Sequence, residues 1–250
     1  MGGIGKTTIA KTAYNLNFGK FEGSSFIADI SEISEQPNGL VRLQKQLLSD
    51  IVKGRKVKIS SVDKGIIKIR DTICCKRVLL VLDDVDQLDQ LNAILVMRDW
   101  FCPGSKIIIT TRHEQLLKAH ELDKIYKVEE LNDHESFQLF YWHAFGPDHP
   151  IEAYSKKSKR VVQYCGGLPL AFQMLGSSLS GRLVDMWEST LKKLEAIPNS
   201  QILKKLKISF VSLQDDHDRN LFLNIACSFV RKDKDFTITI LDNNKKLTMH

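Results

Sequence analysis

Seven residues near the start of the chain, Gly2-Gly3-Ile4-Gly5-Lys6-Thr7-Thr8, bring together three glycines, a lysine and two hydroxyls. That combination suits a polyphosphate. Glycines let the backbone curl until its N–H groups converge on an anion. A helix opening directly afterwards adds its own unpaired N–H groups and the positive end of its dipole. Lys6 then reaches the β- and γ-phosphates, and the Thr7 hydroxyl ligates Mg2+. The full pattern is GxxxxGK[ST]. It closes here on Gly5-Lys6-Thr7, and its opening glycine falls just before Met1. A second acidic element follows. Val78-Leu79-Leu80-Val81-Leu82 ends in Asp83-Asp84, and Asp83 lies 77 positions after Lys6, a gap that fits two βα units. Asp83 would serve the metal, and Asp84 would polarise a water for attack on the γ-phosphate. The third element is Ile107-Ile108-Ile109-Thr110-Thr111-Arg112. It puts an arginine at the C-terminal edge of a strand, where ligands gather in open α/β sheets. The planar fork of Arg112 suits a γ-phosphate, with a surface salt bridge as the lesser alternative from this feature alone.

These residues need a parallel sheet to hold them. Thr7–Asn15 reads as a helix and Ser25–Ile30 as a strand, while Leu40, Leu43, Leu47, Leu48 and Ile51 recur at helical spacing. Arg77–Leu82 and Ser105–Thr111 are continuous apolar strands, with Lys124–Val128 a third candidate. Such runs, separated by helices, imply a sheet covered on both faces. Beyond Leu131 the strand signals stop. Helices are expected near 133–145, 152–165, 169–180 and 185–195, with Pro169 at a helix start. Two further helices near 200–213 and 216–229 precede alternating Phe236–Leu241, a turn at Asp242-Asn243-Asn244 and a return over Lys246–His250. That series suggests a winged helix. The fold class is therefore α/β, with domains at 1–130, 131–197 and 198–250.

Composition excludes other classes. Of the 250 residues 43% are hydrophobic and 26% charged, as in ordinary globular proteins. The longest apolar run, Val78–Leu82, is far short of a membrane span. Five cysteines without a CxxC suggest neither a disulfide framework nor a zinc module, and the adjacent Cys74-Cys75 is poorly placed to bridge to itself. The net charge of +6 arises entirely after residue 150, scattered over helical patterns, so nucleic acid is not an expected partner. No Asn/Thr-Lys-x-Asp base-reading pattern is present, which favours adenine over guanine.

Taken in order, GGIGKTT, KRVLLVLDDVD, GSKIIITTR, CGGLPLA and FLNIACSF closely resemble the NB-ARC module of plant nucleotide-binding leucine-rich-repeat resistance proteins. Asp86, closing the second motif, resembles the Toll/interleukin-receptor (TIR) class. The resemblance implies a P-loop NTPase of the STAND, AAA+-like branch that works as a switch. ADP holds a closed resting state, ATP opens it and permits self-association, and slow hydrolysis resets it. Carried over by motif, Gly2, Gly3, Ile4, Gly5, Lys6, Thr7 and Thr8 bind phosphates, and Thr7 and Asp83 serve Mg2+. Asp84 is the base, Arg112 senses the γ-phosphate, Pro169 and Leu170 meet the adenine, and His250 reaches the ADP β-phosphate. Without the resemblance, Pro169 is only a helix-start proline.

The sequence departs from that pattern. About 20 residues separate Cys227 from Met249-His250, shorter than the family's winged helix, and the Asp of a Met-His-Asp motif is not reached. The first strand of the sheet is expected to be missing, leaving its neighbours with bare edges and the protein marginal or prone to aggregate. The resemblance implies a cytoplasmic or nucleo-cytoplasmic, non-membrane protein, with TIR and leucine-rich-repeat domains as partners in a complete receptor. Two other functions compete. A conventional AAA+-type motor would need arginine fingers and a threading loop that are not recognisable. A helix-turn-helix regulator would need a basic recognition helix, whereas Asn220–Phe229 is apolar.

Overall fold

The computed structural model describes residues 2–52, 57–95, 98–118, 124–147 and 152–195. The chain forms two compact units. One is Gly5–Lys127, and the other joins the residues before Gly5 to the chain from Val128 onward.

In the first unit, strands β1 (Gly23–Ile27), β2 (Val78–Val85) and β3 (Lys106–Thr111) form a parallel sheet in the order β1-β2-β3. Its helices are α1 (Lys6–Asn17), α2 (Ile30–Glu35), α3 (Gly39–Ile51), α4 (Val62–Ile73), α5 (Leu88–Asn92) and α6 (Glu114–Lys118). Every residue from Val78 to Leu82 is buried, which explains why β2 reads as an unbroken apolar run. Leu43, Leu47 and Ile51 of α3 and Ile69 and Ile73 of α4 pack with Val78, Leu80 and Leu82 in one core. Each such side chain contributes roughly 1.5–3 kcal/mol by leaving water.

One expectation fails here. Lys124–Val128 forms no strand. Strand β2 pairs on both sides, Leu80 lying beside Ser25 and beside Ile107, and β1 and β3 form the edges of the described sheet. An apolar strand with unpaired N–H and C=O groups is costly, and direct β2–β3 pairing removes that cost.

The second unit contains α7 (Asp133–Phe145), α8 (Glu152–Cys165), α9 (Pro169–Leu179) and α10 (Val184–Glu195), close to the spans anticipated. A reciprocal cap starts α7, in which the Asn132 side chain accepts from the Glu135 N–H and the Glu135 carboxylate from the Asn132 N–H, both at 3.0 Å. Trp187 is buried among Phe140, Phe145 and Tyr154, and its indole N–H donates to the Leu179 carbonyl at 3.0 Å. Ile4 belongs to this core. Among the described residues no helix is long and apolar enough to cross a membrane. The winged helix, the FLNIACSF motif and His250 lie outside the described residues.

Candidate nucleotide-binding site

The glycine-rich turn is shaped as its residue types require. Gly5 caps α1 from the left-handed region, φ 94°, and Gly3 lies there too, φ 73°. A side chain at either position would be strained. A Cβ on Gly5 would meet nothing within 4 Å, so the space before the helix is open. The first turn of α1 holds no acidic residue, so nothing there opposes an anion at the dipole's positive end. Lys6, half-buried, is the first residue of α1, and Thr7 and Thr8 follow it exposed. Gly3 and Leu170 belong to the other unit, where the Leu170 N–H donates to the Gly3 carbonyl at 3.1 Å. A Cβ on Gly3 would lie 2.9 Å from that of Leu170, which adds a packing reason for this glycine.

Within the sheet unit the fold brings the hydroxyl and the acid together. Thr7 Oγ1 donates to the Asp83 carboxylate, 2.9 Å from Oδ1 and 3.1 Å from Oδ2, across 76 positions of sequence. Asp83 is 1% exposed, and a buried carboxylate needs such partners. Its second donor is Thr110, whose Oγ1 lies 2.6 Å from Asp83 Oδ1. The same Thr110 oxygen accepts the Asp84 N–H at 2.9 Å.

Asp84 occupies a bulge. Pairing runs Leu82 to Ile109 and then Val85 to Thr111, so β2 carries one residue more than β3, and Asp84 sits at φ 55°. Bulges re-aim side chains beside functional sites, and Asp tolerates the left-handed region better than most residues. The re-aimed carboxylate receives Arg112 bidentately, Nε to Oδ1 at 3.1 Å and a terminal nitrogen to Oδ2 at 2.7 Å. Both side chains are partly open to solvent, at 28% and 37% exposure. Arg112 is therefore beside the acids, as its place directly after β3 implies, and here it holds a carboxylate.

Sequence reasoning passed over two residues. Thr110 is one; its signal was a hydroxyl directly after three isoleucines. Gln90, 1% exposed, is the other. Its Oε1 accepts the Asp86 and Gln87 N–H groups, and its Nε2 donates to Asp86 Oδ1 and Ser34 Oγ. Gln90 thus pins the chain as it leaves the acids, but nothing in the local pattern marks a glutamine for that work.

The donor set fits a hard cation. Thr7 and Asp83 supply oxygen only, and Mg2+ takes one or two such groups, completing its shell with water and phosphate. Among the described residues no group of three His, Cys, Asp or Glu side chains is placed to hold a metal by itself.

Comparison with known proteins gives a consistent picture. The family described as "NB-ARC domain" matches residues 1–148. The chain is 46% identical over 243 residues to Disease resistance protein RPV1 of Vitis rotundifolia, covering 97% of this chain and 17% of that protein. It is 43% identical over 243 residues to Disease resistance protein RUN1 of the same species, covering 97% and 18%, and 38% identical over 250 residues to TMV resistance protein N of Nicotiana glutinosa, covering 97% and 21%. The chain thus spans about a fifth of the length of these relatives.

Proposed function

Because this chain belongs to the NB-ARC domain family, we propose that it is the ADP/ATP-binding switch module of a plant intracellular immune receptor. The disease-resistance names of its relatives support the defence setting. The observation that carries the nucleotide reading is the Thr7–Asp83 hydrogen bond, because it joins the phosphate loop to a distant carboxylate. Gly2 to Thr8 cradle the phosphates, and Lys6 reaches the β- and γ-phosphates. Thr7 and Asp83 hold Mg2+, which when bound neutralises charge on the phosphate oxygens. Pro169, Leu170 and His250 keep the nucleotide roles that the family resemblance assigns them.

Arg112 and Asp84 supply the switching chemistry. The Arg112 guanidinium bonds to both oxygens of Asp84, the acid placed to polarise water. A γ-phosphate offers Arg112 a more highly charged partner. Moving to it frees Asp84, so sensing and slow hydrolysis follow from one displacement. In a complete receptor the same step would be coupled to TIR and leucine-rich-repeat domains, to self-association and to a cytoplasmic setting.

Titrating wild type and Lys6→Ala with ADP, ATP and GDP tests the reading. Micromolar or tighter ADP affinity, lost in Lys6→Ala and absent for GDP, with slow turnover, is expected. Fast multiple turnover would favour an AAA+-type motor, and salt-dependent duplex binding a DNA regulator. Equal ADP affinity in both proteins would overturn the assignment.

A further inference from the structure

We propose that Cys74 and Cys75, at the C-terminal end of α4, form a two-thiol chelating site for a soft, thiophilic acceptor of the trivalent organoarsenical class. Both residues are exposed, and their sulfurs lie 3.5 Å apart. The turn that carries them is held from below. Ile69 and Ile73 of α4 are fully buried, the Cys74 N–H donates to the Arg70 carbonyl at 3.1 Å, and the Lys76 N–H donates to the Ile73 carbonyl at 3.2 Å. The thiols therefore project from a fixed backbone, with Cys74 itself in the helical region at φ −60° and ψ −27°.

The geometry favours chelation over a disulfide. Consecutive Cα atoms are about 3.8 Å apart, below the roughly 4.4–6.8 Å that disulfides span. Closing an S–S bond of about 2.05 Å between neighbours would twist a planar peptide. An acceptor atom between the sulfurs asks for less. With bonds of about 2.3 Å, a 3.5 Å separation corresponds to a bond angle of roughly 100° at the acceptor, near that of a pyramidal or tetrahedral centre. No sulfur has to move far.

The surroundings agree. A helix C-terminus carries partial negative charge, which favours an electron-poor atom over an anion. The Cys74 thiol contacts the Asp71 carbonyl at 3.6 Å, so an oxygen also faces the site. The hydrogen bond with Cys75 holds the Cys74 thiol above its ordinary range. Capture is balanced without any change of oxidation state. Two S–H bonds and the arsenic–oxygen bond of an R–As=O reagent break, two As–S bonds form, and both protons leave with the oxygen as water. Cys102 is half-buried and Cys165 buried, so neither is offered to a reagent in the same way.

The test is titration of the reduced 250-residue chain with phenylarsine oxide. Wild type should take up one equivalent that survives excess 2-mercaptoethanol and is released by dithiothreitol. Cys74→Ser and Cys75→Ser should each weaken retention by about 100-fold, because the second thiolate then becomes a separate binding event. Cys102→Ser should bind as wild type does. Unchanged retention in either the Cys74 or the Cys75 variant, with unfolding midpoints equal to wild type, would overturn the proposal. So would retention lost in Cys102→Ser.

Discussion

Single side chains decide how the acids are presented. Asp83 accepts from two hydroxyls, those of Thr7 and Thr110. An Asn there would turn an N–H2 toward one donor or the other. Asp83→Asn should fold, yet lose at least about tenfold of its Mg2+-dependent nucleotide affinity, the lower range seen when a group supporting a metal is altered. Affinity measured with and without Mg2+ checks this, and an unchanged ratio would count against the role of Asp83. Thr110→Val removes a donor to Asp83 and the acceptor of the Asp84 N–H. The buried partners left unpaired should cost about 1–3 kcal/mol in urea unfolding, while Thr110→Ser keeps the hydroxyl and most of that stability. Amide exchange at Asp84 should quicken in the valine variant and not in the serine variant. Gly3, Gly5, Lys6, Thr7, Asp83 and Arg112 were legible as types at a spacing. Thr110 was not, because its work is defined only by what lies across from it.

At the scale of elements, packing overrides local preference. Gly65 sits inside α4, where Ala would ordinarily gain up to about 1 kcal/mol. A Cβ there would instead run into the Gln44 carboxamide of α3, whose Nε2 is tied to the Val62 and Ala93 carbonyls at 3.0 and 2.8 Å. Overpacking costs about 1–3 kcal/mol, so the clash wins, and Gly65→Ala should lower the urea midpoint. The α8–α10 contact adds ion pairs to the Tyr154–Trp187 ring packing. Glu188 takes both Arg160, at 3.0 Å, and Lys157, at 3.6 Å. The Arg160 hydrogen bond, with the nearby positive charges, holds the Glu188 carboxyl below its usual 4.5. A carboxyl depressed on folding binds fewer protons folded than unfolded. Its stabilisation is therefore present above pH 4.5 and lost as pH falls through the lower folded value. Glu188→Gln should flatten that acid loss in thermal melts between pH 3 and 5, and an identical slope would sink the argument. The long helices of both units were readable because Leu43, Leu47 and Ile51, and later Val161 and Cys165, keep helical spacing. Helix α4 was not anticipated, although Val62, Ile66, Ile69 and Ile73 keep helical spacing.

At the scale of the whole molecule, the described residues form two hydrophobic cores with no residue in common. Leu47 lies in one and Trp187 in the other. Leu47→Ala should cost about 2–5 kcal/mol, and Trp187→Ala about 3–5. Because Leu47 and Trp187 belong to different cores among the described residues, the two losses should add to within about 0.5 kcal/mol in a double-variant cycle, provided unfolding stays two-state. A larger coupling would mean that the cores act as one.

What the amino-acid order determined by itself was chemistry and rhythm. Glycines before a lysine and hydroxyls, paired aspartates after an apolar run, and the spacing of helices each depend on neighbours close in the chain. Tertiary structure alone decided the partners. It set Thr7 against Asp83, turned Asp84 through a bulge toward Arg112, and paired β2 with both β1 and β3. Strand order and bulges arise from competition among distant backbone groups for hydrogen bonds, and no local pattern records the outcome of that competition.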